Sequence, residues 1–291
     1  MLEIGYHAPT TIADVIAHLA ADGARPLAGG TDLVPQMREG RRLVTHVVDL
    51  KRVPELTTIA QTTDGGWRIG SAASIGALAR HAGFVAAHPG LVESARLVGS
   101  LQIQNRATLG GNLCNAAPSA DAVPLLIALG AAADVTGPAG RRLVPVETVP
   151  IGPGRTSLAA GEIVTALLLP AKQGRSASRY LRMTPRREMD IAVAGAGAAI
   201  SLDESTGNIN FARVALASVA PTPLLSAAAA RALVGQRPTR ELFRAAGEAA
   251  AADAKPISDT RGSADYRRRL VAVLSRRALE NCARDLGIDL T

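Results

Sequence analysis

Two glycine pairs, Gly29–Gly30 and Gly110–Gly111, constrain this chain more than any other feature of its sequence. A residue without a Cβ lets the backbone approach a bound group closely, and free amides at a helix start attract an anion. Neither pair belongs to a G-x-G-x-x-G or a G-x-x-x-x-G-K-[ST] motif, which excludes the Rossmann fingerprint and the P-loop. Two pairs on separate turns suit a cofactor whose diphosphate lies between two small lobes.

The first pair stands between a predicted strand and a predicted helix. Apolar spacing indicates a helix over 11–22 and a strand over 25–28, and a second helix opens after the pair with Thr31 or Asp32 as its cap. A β-branched run over 43–50 predicts a buried strand that closes a small α/β unit. A glycine pair in this position is also common in plain turns, so this pair alone does not establish a ligand site.

The second pair lies in a predicted loop over 105–118, where hydroxyl, amide and carboxyl side chains are dense. Such groups hydrogen-bond ribose or ribityl hydroxyls, and the amides of the pair offer a second phosphate contact. Residues 119–121 then cap a predicted apolar helix over 123–129. The alternative is an ordered loop that its own side chains stabilise.

The rest of the chain alternates between strand and helix patterns. A hairpin turns at Gly65–Gly66 within 57–71. Further helices are predicted over 75–87, 91–97, 223–234, 240–252 and 264–286, and further strands over 132–136, 142–146, 163–169, 191–202 and 211–219. The polar segment 170–178 is the predicted boundary between two domains. In the last helix, Leu270, Leu274, Ala278 and Cys282 form an apolar stripe typical of core packing.

Composition narrows the possible functions. Two cysteines, Cys114 and Cys282, cannot build a disulfide framework or an iron–sulfur site in this chain alone. The net charge of +7 suits nucleic acid, but an aromatic content of 2% leaves few side chains on which bases could stack. A solvated face or a docking surface for an acidic partner protein is therefore favoured. The histidines show no metal-ligand spacing, and no metal site is expected. Without a membrane span or signal-peptide pattern, a cytoplasmic protein is expected.

Residues 26–33 and 108–121 resemble the two flavin motifs of the FAD-binding subunit in the xanthine dehydrogenase and carbon monoxide dehydrogenase family of molybdenum hydroxylases. Segments 103–105, 152–156 and 179–190 follow in the family's order, so the resemblance spans nearly the whole chain. It implies an α+β protein with a two-lobed FAD-binding domain of the vanillyl-alcohol-oxidase (PCMH) type at 1–172, its lobes at about 1–55 and 56–172. An α+β C-terminal flavoprotein domain, an antiparallel sheet packed with helices, is expected at 176–291.

The resemblance also implies which residues contact FAD. The diphosphate and its neighbours fall on Pro26, Leu27, Ala28, Gly29, Gly30, Thr31, Asp32 and Leu33, and on Thr108, Leu109, Gly110, Gly111 and Asn112. Asp121 is expected to bind the cofactor's hydroxyls, and Val98 and Val164 to line it. Arg182 stands where some members have a lysine near the flavin, and Gln104 replaces a common arginine, which leaves both roles open.

The function that the resemblance implies is electron transfer. A large subunit hydroxylates the substrate at a molybdopterin cofactor, a small subunit passes electrons through two [2Fe–2S] clusters, and FAD in this chain reduces an external acceptor. The complex is expected to be a dimer of heterotrimers, and no catalytic residue is expected here. The branch that resembles hydroxybenzoyl-CoA reductase carries a four-cysteine loop that this sequence lacks. The alternatives are a freestanding FAD-dependent oxidoreductase of the same fold and a non-enzymatic basic binding protein.

Overall fold

A computed structural model describes residues 4–172, 174–187 and 189–290. The chain begins with a small parallel sheet, the N-terminal sheet, in the order β1-β3-β2. Its elements are β1 (Gly5–His7), α1 (Ile12–Leu19), β2 (Ala24–Leu27), α2 (Leu33–Arg38) and β3 (His46–Asp49). Thr11 caps α1 by accepting a hydrogen bond from the Asp14 amide at 3.1 Å, and Val15 of that helix is fully buried.

A five-stranded antiparallel sheet, the middle sheet, follows in the order β4-β5-β10-β6-β7. Its helices are α3 (Pro54–Thr57), α4 (Ile75–Arg80), α5 (Ala82–Ala87), α6 (Pro89–Ala95), α7 (Leu101–Gln104), α8 (Leu109–Cys114) and α9 (Val123–Ala128). Its strands are β4 (Ile59–Gln61), β5 (Trp67–Gly70), β6 (Ala132–Gly137), β7 (Gly140–Pro145) and β10 (Ile163–Leu169), with a separate hairpin of β8 (Pro150–Gly152) and β9 (Arg155–Thr156). Short 3-10 turns lie at Leu50–Arg52 and Val146–Thr148.

The C-terminal sheet is an antiparallel meander in the order β11-β12-β13-β14. Its elements are β11 (Arg175–Met183), β12 (Ala194–Leu202), β13 (Ile209–Ala217), β14 (Leu224–Ser226), α10 (Ala227–Leu233), α11 (Arg240–Asp253) and α12 (Ala264–Asp285). Helices α11 and α12 cover one face, where Phe243, Ala278 and Cys282 are fully buried. The apolar stripe predicted for the last helix is therefore confirmed as core.

Helix α9 joins the middle and C-terminal sheets. All six of its residues are buried, and Pro124 lies in the first turn, where a missing amide costs no hydrogen bond. At the other end, Arg213 of β13 donates from Nε to the Ile127 carbonyl at 2.9 Å and pairs with Glu147 at 2.8 Å. A cation from the C-terminal sheet thus adds a hydrogen bond to a carbonyl that also accepts one from the Gly130 amide at 3.0 Å, and this contact holds the two sheets together.

Strand β11 is absent from the sequence prediction, which treated 170–178 as a boundary. Its residues do not share one apolar face: Ala177 and Leu181 pack towards the core of the C-terminal sheet, whereas Tyr180 packs towards that of the middle sheet. Arginines and serines fill most other positions, so the period-2 signal of a half-buried strand is lost. Gln173 of that boundary lies outside the described residues.

Smaller differences concern the ends of helices and strands. The strand predicted over 43–50 begins at His46, and the helix predicted over 223–234 begins at Ala227 because β14 precedes it. Ala122 occupies the cap position of α9 and makes no side-chain bond, so the predicted cap from residues 119–121 is wrong. Among the described residues, no helix combines the length and apolar character needed to cross a bilayer.

His88, between α5 and α6, is the most deeply buried of the five histidines. It is 3% exposed, its ring lies 5.3 Å from that of Phe84, and its Nδ1 has no hydrogen-bond partner among the described residues. Burial, and secondly the charge of Lys172, lowers the pKa of His88 to about 4.

This burial predicts a specific loss of stability in acid. Above pH 6.5 His88 is neutral in both states and contributes nothing; below 6.5 the unfolded chain binds the proton first, so stability falls until the pH reaches about 4. The loss should reach about 3 kcal/mol. Urea unfolding across this range should show a weaker pH dependence for His88→Phe than for wild type, and parallel curves would contradict the assignment.

Candidate cofactor site

The turn between β2 and α2 is shaped by Gly29 and Gly30. Gly30 has φ +79°, a conformation that glycine adopts at low cost. A Cβ on Gly29 would overlap the carbonyl of Arg106 and lie 3.0 Å from the Ala107 Cα. The absence of a side chain at Gly29 therefore lets this turn pack directly on the backbone that leads into the second glycine pair.

Five consecutive backbone amides in this turn, from Gly29 to Leu33, make no hydrogen bond to any described residue. The first amide of the segment that bonds within the helix is that of Val34, which donates to Gly30 at 3.0 Å. Asp32 occupies the cap position of α2, but its side chain makes no capping bond, so the predicted cap is not formed. The turn offers an array of free N–H groups, which suits an anion.

The second glycine pair lies inside α8, where the sequence predicted a loop. Thr108 caps this helix by accepting a hydrogen bond from the Gly111 amide at 2.8 Å. Gly110 packs against the backbone of Ser71, since a Cβ there would come within 2.6 Å of the Ser71 carbonyl oxygen. A Cβ on Gly111 would meet only the Thr108 hydroxyl, at 2.9 Å. Gly110 is thus required for packing, and Gly111 keeps open the space beside the helix start.

A cavity of about 190 Å³, called here the cofactor cavity, lies between these two helix starts. Of the residues predicted to contact cofactor, it is lined by the following: Pro26, Leu27, Ala28, Gly29, Gly30, Thr31, Asp32, Leu33, Val98, Thr108, Gly110, Gly111, Asn112 and Val164. Leu109, Asp121 and Arg182 do not line it. The tertiary structure therefore brings together residues that are far apart in sequence.

Several residues of the cofactor cavity were not predicted from the sequence. Gln36 donates to the Asn115 amide oxygen at 3.2 Å, which joins α2 to the end of α8 across the cavity. Arg42 reaches the Gly154 carbonyl at 3.4 Å, in the hairpin of the segment 152–156. Gln36 and Arg42 lie outside the motifs and carry no local signal, whereas Asn115 stands within the second motif and could have been included.

Two ionisable side chains of the cavity are held in inert states. Both oxygens of Glu162 are bonded by Arg142, at 2.9 and 2.7 Å, and this pairing lowers the pKa of Glu162 to about 2. Burial raises the pKa of the Cys114 thiol to about 12. At neutral pH the Glu162 carboxylate is ionised, but both its oxygens are bonded to Arg142, so it is not available as a base. The Cys114 thiol is protonated, so it is not a nucleophile.

Asp121 and Arg182 form a buried ion pair with a length of 2.5 Å between Oδ2 and Nη1. The Tyr180 hydroxyl donates to the other carboxylate oxygen at 3.1 Å. Burial raises the pKa of Asp121 to about 6, and the Arg182 charge and the Tyr180 hydrogen bond oppose that rise. Tyr180 and Arg182 both belong to β11, so the C-terminal sheet determines the orientation of this carboxylate.

The remaining residues singled out in the sequence lie away from the cavity. Gln104 is 8% exposed and donates to the Arg96 carbonyl at 2.7 Å. Arg186 approaches Asp190 at 3.7 Å on the surface, and Glu188 of that cluster lies outside the described residues. His7 stacks on His18 with ring centroids 4.2 Å apart. The described part of the chain contains no group of three or more His, Cys, Asp or Glu residues arranged to hold a metal ion.

Two family models match the chain. "FAD binding domain in molybdopterin dehydrogenase" matches residues 2–172, and "CO dehydrogenase flavoprotein C-terminal domain" matches residues 179–282. Carbon monoxide dehydrogenase medium chains are 36% identical in Afipia carboxidovorans and 33% in Hydrogenophaga pseudoflava, each over 94% of this chain and 95% of theirs. A putative xanthine dehydrogenase FAD-binding subunit of Escherichia coli is 32% identical over 97% of both chains.

A solved structure supports the same relationship at the level of the fold. The crystal structure of a Cu,Mo-CO dehydrogenase in a cyanide-inactivated form contains a chain that superposes with a TM-score of 0.91. It is 33% identical, and the match covers 97% of this chain and 98% of that chain. The α+β fold with a two-lobed FAD-binding domain is therefore that of this protein, as the sequence resemblance implied.

The ion pair between Asp121 and Arg182 predicts that removing the cation lowers the unfolding free energy by an amount that depends on pH. Arg182→Met leaves a buried carboxylate unpaired, and we expect a loss of about 3 to 5 kcal/mol in unfolding free energy near neutral pH. Without the guanidinium the pKa of Asp121 rises further above its wild-type value of about 6. The variant then binds the proton at a higher pH than wild type, so the deficit should shrink as the pH falls towards about 6 and stay constant below it, where Asp121 is neutral in both folded proteins.

Urea unfolding of wild type and variant at several pH values measures this deficit. The double variant Asp121→Leu with Arg182→Met removes both charges and should recover most of the loss. A deficit that is the same at every pH would mean that Arg182 contributes packing alone.

Proposed function

The chain belongs to the FAD-binding flavoprotein subunits of the molybdopterin dehydrogenase family, and on this premise we propose that it carries electrons from a partner subunit to an external acceptor through one FAD in the cofactor cavity. The observation that carries the proposal is the convergence of two helix starts, one with five free amides, on a single cavity. The division into an FAD-binding domain up to residue 172 and a C-terminal domain from 176 is part of the same proposal.

The residues of the cavity fit FAD by their chemistry. A diphosphate needs several N–H donors without competing acceptors, and the amides of residues 29–33 supply them. Val98 and Val164 offer apolar surface to a planar ring, and Asn112 and Asn115 offer amide groups to hydroxyls. We assign the diphosphate to residues 26–33 and 108–112.

Asp121 and Arg182 have a supporting place in this proposal. Asp121 lies outside the cavity lining and is already bonded by Tyr180 and Arg182. A carboxylate has room for about four hydrogen bonds, so we propose that the cofactor extends beyond the cavity lining and that Asp121 keeps both partners and accepts one more bond from a ribityl hydroxyl. Arg182 then fixes the carboxylate and adds positive charge near the cofactor, which a lysine in the same place would do with a different geometry.

FAD supplies the redox chemistry, since it accepts electrons singly or in pairs, whereas this chain supplies binding and orientation. Its residues hold the diphosphate by backbone amides and keep Cys114 protonated and Glu162 paired, so that neither reacts with the cofactor. We propose no acid, base or nucleophile in this chain.

We propose that the electrons come from iron–sulfur clusters of a partner, because the two cysteines of this chain, Cys114 and the fully buried Cys282, are too few to hold a cluster. We propose a small subunit with two [2Fe–2S] clusters as donor and a large molybdopterin subunit as the site of substrate oxidation, assembled as a dimer of heterotrimers. The names of the relatives support further subunits, since two of those cited are called medium chains of carbon monoxide dehydrogenase.

The assignment of the diphosphate to α8 predicts the effect of filling the space beside Gly111. Gly111→Val places a branched side chain there, and we expect the purified protein to lose most of its FAD, at least about tenfold in affinity. Flavin absorbance per protein and FAD titration of the apoprotein measure the effect. Gly83→Val, on an exposed face of α5 where a Cβ meets nothing closer than 3.4 Å, is the matched control and should keep FAD.

The proposed partners predict what co-purifies with the chain. Affinity purification at native expression from the source organism should bring down a molybdenum-containing chain and an iron–sulfur chain in equal amounts with it. Metal analysis of the complex should detect molybdenum and iron. The chain purified by itself should contain flavin and neither metal. Purification as a flavin-loaded single chain with its own dehydrogenase activity would instead favour a freestanding oxidoreductase.

A further inference from the structure

A second and larger cavity, of about 550 Å³, lies between the middle and C-terminal sheets. The second cavity shares no lining residue with the cofactor cavity. One wall comes from His88 and Pro89 and from residues 169–172, and the opposite wall from residues 176–179 of β11 and 199–201 of β12. Its volume falls within the range of about 300 to 1,000 Å³ that small-molecule sites occupy.

One positive charge in the second cavity is uncompensated. Arg179 lines it, but its guanidinium is bonded to both oxygens of Asp285, at 2.6 and 2.8 Å, and also to Glu93. Lys172 has no carboxylate within ion-pair distance in the described part of the chain. The lining therefore carries one cation, the solvent-exposed Lys172, that is free to pair with a ligand.

Unused hydrogen-bonding groups line the same cavity as that cation. His88 is 3% exposed, and its Nδ1 is buried without a partner among the described residues, an arrangement that costs free energy in a folded protein. The hydroxyls of Ser176 and Ser178 line the same cavity and make no hydrogen bond to a described side chain or backbone group. Lys172 and His88 line the same cavity.

Apart from Ser201 and from Asp285, whose carboxylate is held by Arg179, the rest of the lining is apolar. Pro89, Leu129, Leu169 and Ile200 form its walls, and Phe211, which is 36% exposed, presents an aromatic surface. A multiply charged anion would be poorly matched here, because a single free cation would leave part of its charge unpaired against an apolar wall. A ligand with one negative charge and an apolar body fits both the single cation and the apolar walls.

We propose that the second cavity is a ligand site for a small organic monocarboxylate with an aromatic or apolar body, its carboxylate bonded by Lys172 and the neighbouring hydroxyls. The site is distinct from the FAD site. It adjoins the first half of β11, whose second half carries Tyr180 and Arg182 to Asp121, so a bound acid would contact the same strand that orients that carboxylate.

The test uses the FAD-loaded full-length chain, with benzoate as the probe and benzyl alcohol as its uncharged counterpart. Titration calorimetry should give benzoate binding that Lys172→Gln weakens by at least about tenfold, the loss expected for a charge-assisted hydrogen bond. Lys255→Gln, which removes an exposed lysine outside both cavities, should bind benzoate like wild type. Benzyl alcohol should bind at least about tenfold more weakly than benzoate.

Two further measurements place the ligand and test its class. Ser176→Phe projects a ring into the second cavity and should abolish benzoate binding while the flavin absorbance stays unchanged. Inorganic phosphate should not displace benzoate. Equal benzoate affinity in wild type and Lys172→Gln, retained binding in Ser176→Phe, displacement by phosphate, or no binding of benzoate to wild type would each overturn the proposal. None of these results bears on FAD retention, which is measured separately in the same samples.

Discussion

The direct packing of the Gly29 turn on the Arg106–Ala107 backbone is the contact on which the site depends. It is possible because no side chain stands between the two segments. Through it the start of α2, on the N-terminal sheet, and the start of α8, against the middle sheet, come to face one cavity. Backbone amides do not change with pH or rotamer, so a diphosphate site built from them is already organised before the cofactor arrives.

Two strands of the C-terminal sheet contact the segment 121–129, which follows α8. β11 carries Tyr180 and Arg182 to the two oxygens of Asp121, and Arg213 of β13 binds the end of α9 a short distance along the chain. A buried ion pair adds little net stability over an apolar pair, but breaking it is costly, so such a contact fixes geometry more than it stabilises. We interpret the C-terminal part as a support that orients groups beside the flavin.

The two cavities differ in character. The cofactor cavity is built from free amides and small side chains, which suits a diphosphate, whereas the second cavity combines one exposed cation without an ion-pair partner among the described residues with largely apolar walls. The difference follows from their locations. Helix starts provide N–H groups at the first, and the meeting of two sheet faces provides aliphatic side chains at the second.

The sequence by itself determined the local structure and the chemistry of the motifs. Glycine pairs, helix periodicity and the buried strand near Val48 are local signals, and most helices and strands were predicted within a few residues. The sequence alone did not predict β11, because Ala177 and Tyr180 serve different cores, and treated α8 as a loop because glycines are poor helix formers. The tertiary structure decided that Gly110 serves packing and Gly111 the cavity, and that Asp121 is bonded to Arg182, since these contacts join residues distant in the chain, which no local pattern records.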